Sequence, residues 1–156
     1  MPTIQHKIKL LAVTLAIIGF LGFLDASYLS IEHFLGKTVE CSVSIFSDCG
    51  TVTTSPYAKI LGIPVAYLGM LYYLSIIVLS ILLIDKKNLV LAKYTALYTT
   101  AGLIASAYFV FLQAFILEAF CLYCMLSAAS STILFLLGMR MLQLLRNEKR
   151  APLERA

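Results

Sequence analysis

The sequence predicts an all-α membrane protein: a four-transmembrane-helix bundle with an outer loop containing a short amphipathic helix between the first and second spans. Three observations predict it. The chain is 61% hydrophobic and 13% charged, and a soluble domain of this length carries about twice that charged fraction. Its mean hydropathy of +0.93 leaves too little polar surface to cover a globule in water, so its solvent is largely lipid. Its apolar residues gather into four stretches, each long enough to cross about 30 Å of hydrocarbon as a helix. Four spans and short connections use nearly all of the 156 residues, so 1–156 reads as a single integral membrane domain.

The first stretch, residues 10–34, follows Lys7 and Lys9 in the manner of a secretory signal. No A-x-A-like cleavage site follows it, and its apolar character continues past Tyr28 to Leu35, so it is read as a retained first span. Asp25 lies within it, where a carboxylate is costly and faces protein or water; an outer-interface position and a proton path both fit. Residues 35–62 form the outer loop, with the turn-prone run Ser47-Asp48-Cys49-Gly50 and a Thr/Ser stretch ending at Ser55. Ser55-Pro56 has the form of an N-cap followed by proline at the first helical position. It predicts a short amphipathic helix through Tyr57, Ala58, Lys59 and Ile60, ended by Gly62, on the outer membrane face. Pro64 then opens the second span, 63–84, and the third and fourth follow at 91–117 and 120–145, joined by a very tight turn near Glu118 and Ala119.

Charge placement orients the bundle. Lys7, Lys9, Lys86, Lys87, Lys93, Arg140, Arg146, Lys149, Arg150 and Arg155 are ten of the twelve basic residues, and four spans put all of them on one side. The other side receives Lys37 and Lys59 beside Glu32, Glu40, Asp48 and Glu118. Both termini are therefore expected to be cytoplasmic and the long loop outside. The basic tail reads as a juxtamembrane anchor rather than a nucleic-acid patch. No Gly-rich phosphate loop is present and His6 and His33 are isolated, so nucleotide and nucleic-acid binding have no support.

All four cysteines fall on the outer side: Cys41 and Cys49 in the loop, Cys121 and Cys124 as a C-x-x-C at the outer end of the fourth span. In an oxidising compartment this grouping reads as two dithiol pairs. Cys41 and Cys49 taken alone suit a structural staple of a small loop. The C-x-x-C bridge closes too short a loop to stabilise much, and suits thiol–disulfide exchange better. Cys121, nearer the helix N-terminus, is expected to ionise more readily than Cys124. A four-thiolate zinc site and a non-enzymatic protein with structural disulfides are the alternatives; the cysteine spacing lacks the paired short intervals of a zinc ribbon, so no metal is expected. Electrons entering a membrane dithiol must leave it, and a quinone is the usual lipid-soluble acceptor. Tyr67, Tyr72, Tyr73, Tyr108, Phe109 and Phe111 offer aromatic walls for one, although each taken singly suits core packing or an interfacial belt as well.

The segment from Cys41 to Cys49 (CSVSIFSDC), Ser55 six residues later, the segment Tyr57 to Val65 (YAKILGIPV) and the Cys121-Leu122-Tyr123-Cys124 motif, in that order, resemble the vitamin K epoxide reductase family, specifically its bacterial homologues. The resemblance covers the whole four-helix chain. Its order of elements differs from DsbB-type quinone reductases, whose C-x-x-C precedes the second cysteine pair. It implies a thiol-disulfide oxidoreductase of the bacterial cytoplasmic (inner) membrane that supports disulfide formation. Cys41 would receive electrons from a periplasmic thioredoxin-fold (DsbA-like) protein, Cys49 would relay them to Cys121, and Cys124 would face a quinone of the ubiquinone or menaquinone class. Ser55 would support the reactive region, and Tyr67 and Tyr72 are candidates for the quinone site. The chain ends at Ala156 without the fused thioredoxin-like domain of some bacterial members, so a separate redox partner is expected. Ala128 stands where the vertebrate enzyme has a tyrosine, and the vertebrate quinone-binding asparagine has no counterpart. The resemblance therefore assigns no polar contact to the quinone oxygens, and it does not extend to epoxide reduction or the anticoagulant response.

Overall fold

The computed structural model describes residues 4–36, 49–86 and 88–150, with side chains described as far as residue 147 at the C-terminal end. Cys41 lies outside the described residues. Four long helices carry the fold: α1 (Ile4–Phe34), α3 (Val65–Lys86), α4 (Leu89–Phe115) and α5 (Leu122–Arg150), with the short α2 (Cys49–Thr54) between the first two. All four long helices have the length and apolar character to cross a membrane, as expected. The first begins six residues before the predicted 10, taking in Lys7 and Lys9, because nothing in that polar turn breaks a helix.

Apolarity on every face hides which side of each helix meets protein, but the buried positions reveal it. In α1 they are Ile8, Ala12, Leu15, Gly19, Gly22, Ala26 and Leu29, alternating in steps of four and three. This is the 3.5-residue seam of helices that cross at a shallow angle. α3 buries Tyr73, Ile76, Ser80 and Leu83 with the same rhythm, and α5 buries Ser131, Leu134, Gly138 and Met141. α1 packs along α3 and α5, and α4 packs along α5. Small residues set these approaches: a Cβ at Gly22 would fall inside the Tyr73 ring, and one at Gly138 would meet Thr99 Oγ1 and sit 3.1 Å from the Ala96 carbonyl. The exposed faces, such as Leu10, Ile17, Leu21 and Leu24 of α1, are left for lipid.

Hydroxyls inside the spans need partners that lipid does not supply. Thr14, Ser30, Thr95 and Thr132 each donate to the carbonyl four residues earlier, at 2.7–3.0 Å. Ser27, Tyr72 and Ser80 are exceptions: their hydroxyl oxygens are buried with no partner among the described residues, and Ser80 is buried completely. Leaving such a group unmet costs about 1–3 kcal/mol. Ser80→Ala is therefore expected to raise the thermal midpoint of the detergent-solubilised protein, and a lowered midpoint would show that the hydroxyl has a partner.

The loop corrects the predicted position of the short helix. It runs over Cys49–Thr54, six residues upstream, and Pro56–Ala58 makes only a single 3-10 turn. Ser55 does not cap it; its Oγ instead donates back to the Val52 carbonyl at 2.9 Å, closing the end of α2. The reason lies downstream. Lys59–Ile60 (β1) pairs antiparallel with Ile63–Pro64 (β2), Lys59 opposite Pro64 and Ile60 opposite Ile63. Leu61 and Gly62 turn between them at φ 52 and 82, the double left-handed turn that suits a two-residue hairpin. Residues drawn into that ladder cannot continue a helix from Pro56.

Candidate active site

The turn between α4 and α5 sets the geometry of the C-x-x-C. The carbonyl of Leu112 accepts from the amides of Ile116 and Leu117 at 3.0 and 2.9 Å, and that of Gln113 accepts from Ala119 at 3.2 Å. Glu118 takes a left-handed conformation, φ 48, which folds the chain back toward α1. The Gln113 side chain completes the turn, its Oε1 accepting from the Cys121 amide at 3.0 Å.

Cys121 directly precedes α5, and its carbonyl accepts the first helical bond, from Met125 at 3.1 Å. It thus occupies the N-cap position, where a side-chain acceptor meets free amides of the first turn. The Cys124 thiol, then the amides of Cys124 and Tyr123, favour the ionised Cys121 sulfur. Together they hold its thiol below the ordinary range, against burial and the nearby Asp25 carboxylate. The N-terminal placement thus favours the Cys121 thiolate by specific donors as well as by the helix dipole.

Cys121 and Cys124 are free thiols, whereas Cys49 is disulfide-bonded. Cys49 and Cys121 are both fully buried and belong to one packed cluster with Leu29, Val52 and Ala119; Cys124 packs against it. α2 places its first residue, Cys49, and Val52 on the same inward face, one turn apart. The loop is thereby pinned to α1 and to the start of α5.

A cavity of about 140 Å³ lies beside this cluster. Cys124, Ser127 and Ala128 of α5 line it, with Asp25 and Leu29 of α1, Phe109 and Gln113 of α4, and Val52 and Ser55 of the loop. An apolar space of about 150 Å³ admits one benzene ring. Ala128, small where the vertebrate pattern has tyrosine, leaves its part of the wall open. Of the residues predicted for this region, Cys124 and Ser55 line the cavity, while Tyr67 and Tyr72 do not. Tyr67 is 45% exposed, and Tyr72 packs on Tyr98 and against Gly102 of α4. Gln113, Ser106 and Ser127 also line it and were not anticipated. Gln113 has a signal in the sequence: it is the only amide or carboxyl side chain in α4. Asp25 turns inward, with Oδ2 buried and unpartnered among the described residues.

Tyr73, fully engaged, frames the site from below. Its hydroxyl donates to the Ser127 carbonyl at 2.8 Å and lies 2.9 and 3.1 Å from the Ser127 and Ser131 hydroxyls. One donor and two acceptor positions are thereby used. The contact registers α3 against α5 one turn below Cys124.

Thiol-disulfide oxidoreductase LTO1 of Arabidopsis thaliana is 34% identical over 126 residues, a match covering 75% of this chain and 33% of that protein. The chain thus spans about a third of the length of this relative. The sequence profile of the vitamin K epoxide reductase family matches residues 13–139, from the first helix into the last and across all four cysteines. On that match, this four-helix chain belongs to the vitamin K epoxide reductase family.

Proposed function

We propose that the protein is a membrane thiol-disulfide oxidoreductase that passes electrons from a thioredoxin-fold partner through its two cysteine pairs to a quinone, and so supports disulfide formation. The observation that carries the reading is that disulfide-bonded Cys49 and free, fully buried Cys121 share one packed cluster, with Cys124 lining the cavity beside it. A structural staple does not need a reactive pair packed against it.

The steps balance as follows. A partner thiolate attacks the Cys41–Cys49 disulfide at Cys41, and the partner's second thiol resolves the mixed disulfide, leaving both loop cysteines reduced. Cys49 then attacks Cys121 of the oxidised C-x-x-C, forming a Cys49–Cys121 disulfide and freeing the Cys124 thiolate. Cys41 attacks Cys49, so the loop disulfide returns and Cys121 leaves as the thiolate that the α5 amides favour. Two electrons and two protons then pass from Cys121 and Cys124 to the quinone, giving hydroquinone and the Cys121–Cys124 disulfide. The net reaction oxidises one partner dithiol and reduces one quinone.

The distribution of basic residues supports a bacterial cytoplasmic membrane topology with both termini inside and the cysteines at the outer face. The test is loss of quinone absorbance on mixing purified protein with a reduced thioredoxin-fold donor and a short-chain quinone. Catalytic, donor-dependent loss supports the reading. No quinone reduction with any donor, protein or small thiol, overturns it in favour of structural disulfides or a metal site.

A further inference from the structure

The cavity is lined by a polar side chain that the cysteine relay does not consume. Gln113 is 2% exposed and sits in an otherwise apolar turn of α4, yet it faces the cavity that Cys124 enters. Its amide has a definite orientation. The Cys121 backbone N–H lies 3.0 Å away, and because that group only donates, the atom meeting it is the oxygen, Oε1. The side-chain nitrogen is then directed away from Cys121 with two N–H donors, and no acceptor among the described residues takes them. The nitrogen is not among the fully buried atoms left unpartnered, so it opens onto the cavity, where an occupant can accept from it.

The occupant proposed above is such an acceptor. A quinone presents two carbonyl oxygens and no donors, and those oxygens gain negative charge as electrons arrive. A fixed N–H aimed at one of them binds the oxidised form and stabilises the reduced one more strongly. Several other polar groups of the lining are already engaged: the Ser127 hydroxyl with Tyr73, and the Thr53 and Ser55 hydroxyls with the Cys49 and Val52 carbonyls.

We infer that Gln113 donates a hydrogen bond through Nε2 to one carbonyl oxygen of the quinone while its Oε1 holds the Cys121 amide. One side chain thus fixes both the electron acceptor and the start of the helix that carries the donor dithiol. The inference rests on the quinone reading of the cavity and adds the polar contact that the resemblance left unassigned.

Gln113→Glu separates the two contacts: it keeps an oxygen for the Cys121 amide and removes the donors. Gln113→Leu removes both. In steady-state assays of the detergent-solubilised protein with a short-chain quinone, Gln113→Glu is expected to raise the quinone KM at least about tenfold, the equivalent of one hydrogen bond. Gln113→Leu should do the same and also change the equilibrium of the Cys121–Cys124 pair with dithiothreitol measured without quinone. Wild-type turnover with an unchanged quinone KM in Gln113→Glu overturns this inference alone, since a purely structural glutamine would be replaced by that variant. A wild-type protein that neither binds nor reduces quinone overturns the function reading and this inference with it. If both variants fail to fold, the infrared spectrum of carbonyl-labelled quinone on the wild type still decides. One carbonyl band below its frequency in hydrocarbon supports the contact, and two bands at the hydrocarbon frequency overturn it.

Discussion

Cys121→Ser and Cys124→Ser are each expected to lower quinone reduction by at least about 10³-fold with any donor, and the double variant should be no worse than either alone. Two residues that act as one redox unit lose their function together, so their effects do not add. Cys41→Ser should be as inactive with a thioredoxin-fold donor yet keep turnover with a small thiol, because only the protein donor requires the loop relay. The shared packing cluster of Cys49 and Cys121 adds a directional test. In Cys41→Ser combined with Cys124→Ser, neither Cys49 nor Cys121 keeps a neighbour that can displace it, so a two-electron thiol oxidant such as diamide should leave a Cys49–Cys121 linked peptide under non-reducing digestion. Cys121→Ser in place of Cys124→Ser should give no Cys49–Cys124 link. Recovery of that link instead, or full activity in Cys124→Ser, would reverse the assigned roles.

Gly22→Ala should be among the most destabilising single methyl additions in the protein, by about 2–4 kcal/mol. The added Cβ would fall inside the ring of Tyr73, which is 1% exposed and held by its hydroxyl to Ser127 and Ser131. The ring can yield only by parting α1 from α3 or by giving up those bonds. Overpacking costs about 1–3 kcal/mol, and each lost hydrogen bond about 0.5–1.5 kcal/mol. Gly22→Ala combined with Tyr73→Leu should be less destabilised than the sum of the single changes, because the second substitution removes the clash. Thermal unfolding in detergent checks both statements. An alanine variant with wild-type stability would mean that α1 and α3 approach less closely than the structure has them.

The four spans were legible because lipid imposes a length and a composition that few soluble sequences meet. The inward faces were not, for the same reason: when every face of α1 is apolar, nothing marks Gly22 and Ala26 as buried and Leu21 and Leu24 as exposed. The cysteines could be grouped by side of the membrane from span count alone, whereas the clustering of Cys49 with Cys121 depends on how α2 folds onto α1. The helix expected from Ser55-Pro56 was a sound local reading defeated by pairing: a serine–proline start has no power over Lys59 and Ile60 once Leu61 and Gly62 turn them onto Ile63 and Pro64. Aromatic character alone made Tyr67 and Tyr72 candidates for the quinone site, and their placement outside the cavity follows from rotation about α3, which a flat hydrophobic pattern leaves open. Gln113 was readable as an anomaly in α4 but not as a ligand of the Cys121 amide, because that contact needs the left-handed turn at Glu118.

The hairpin tip carries one further consequence. Leu61 is 98% exposed and holds a left-handed backbone, a conformation that disfavours a leucine by about 1–2 kcal/mol. Moving that side chain from water into hydrocarbon returns about 1.5–3 kcal/mol. The loop is therefore most stable when the tip dips into the bilayer, with Ile60 and Ile63, each a little over 40% exposed, beside it. In that position the hairpin would act as a mooring, holding the end of the Cys49-bearing helix at a set depth against the hydrocarbon.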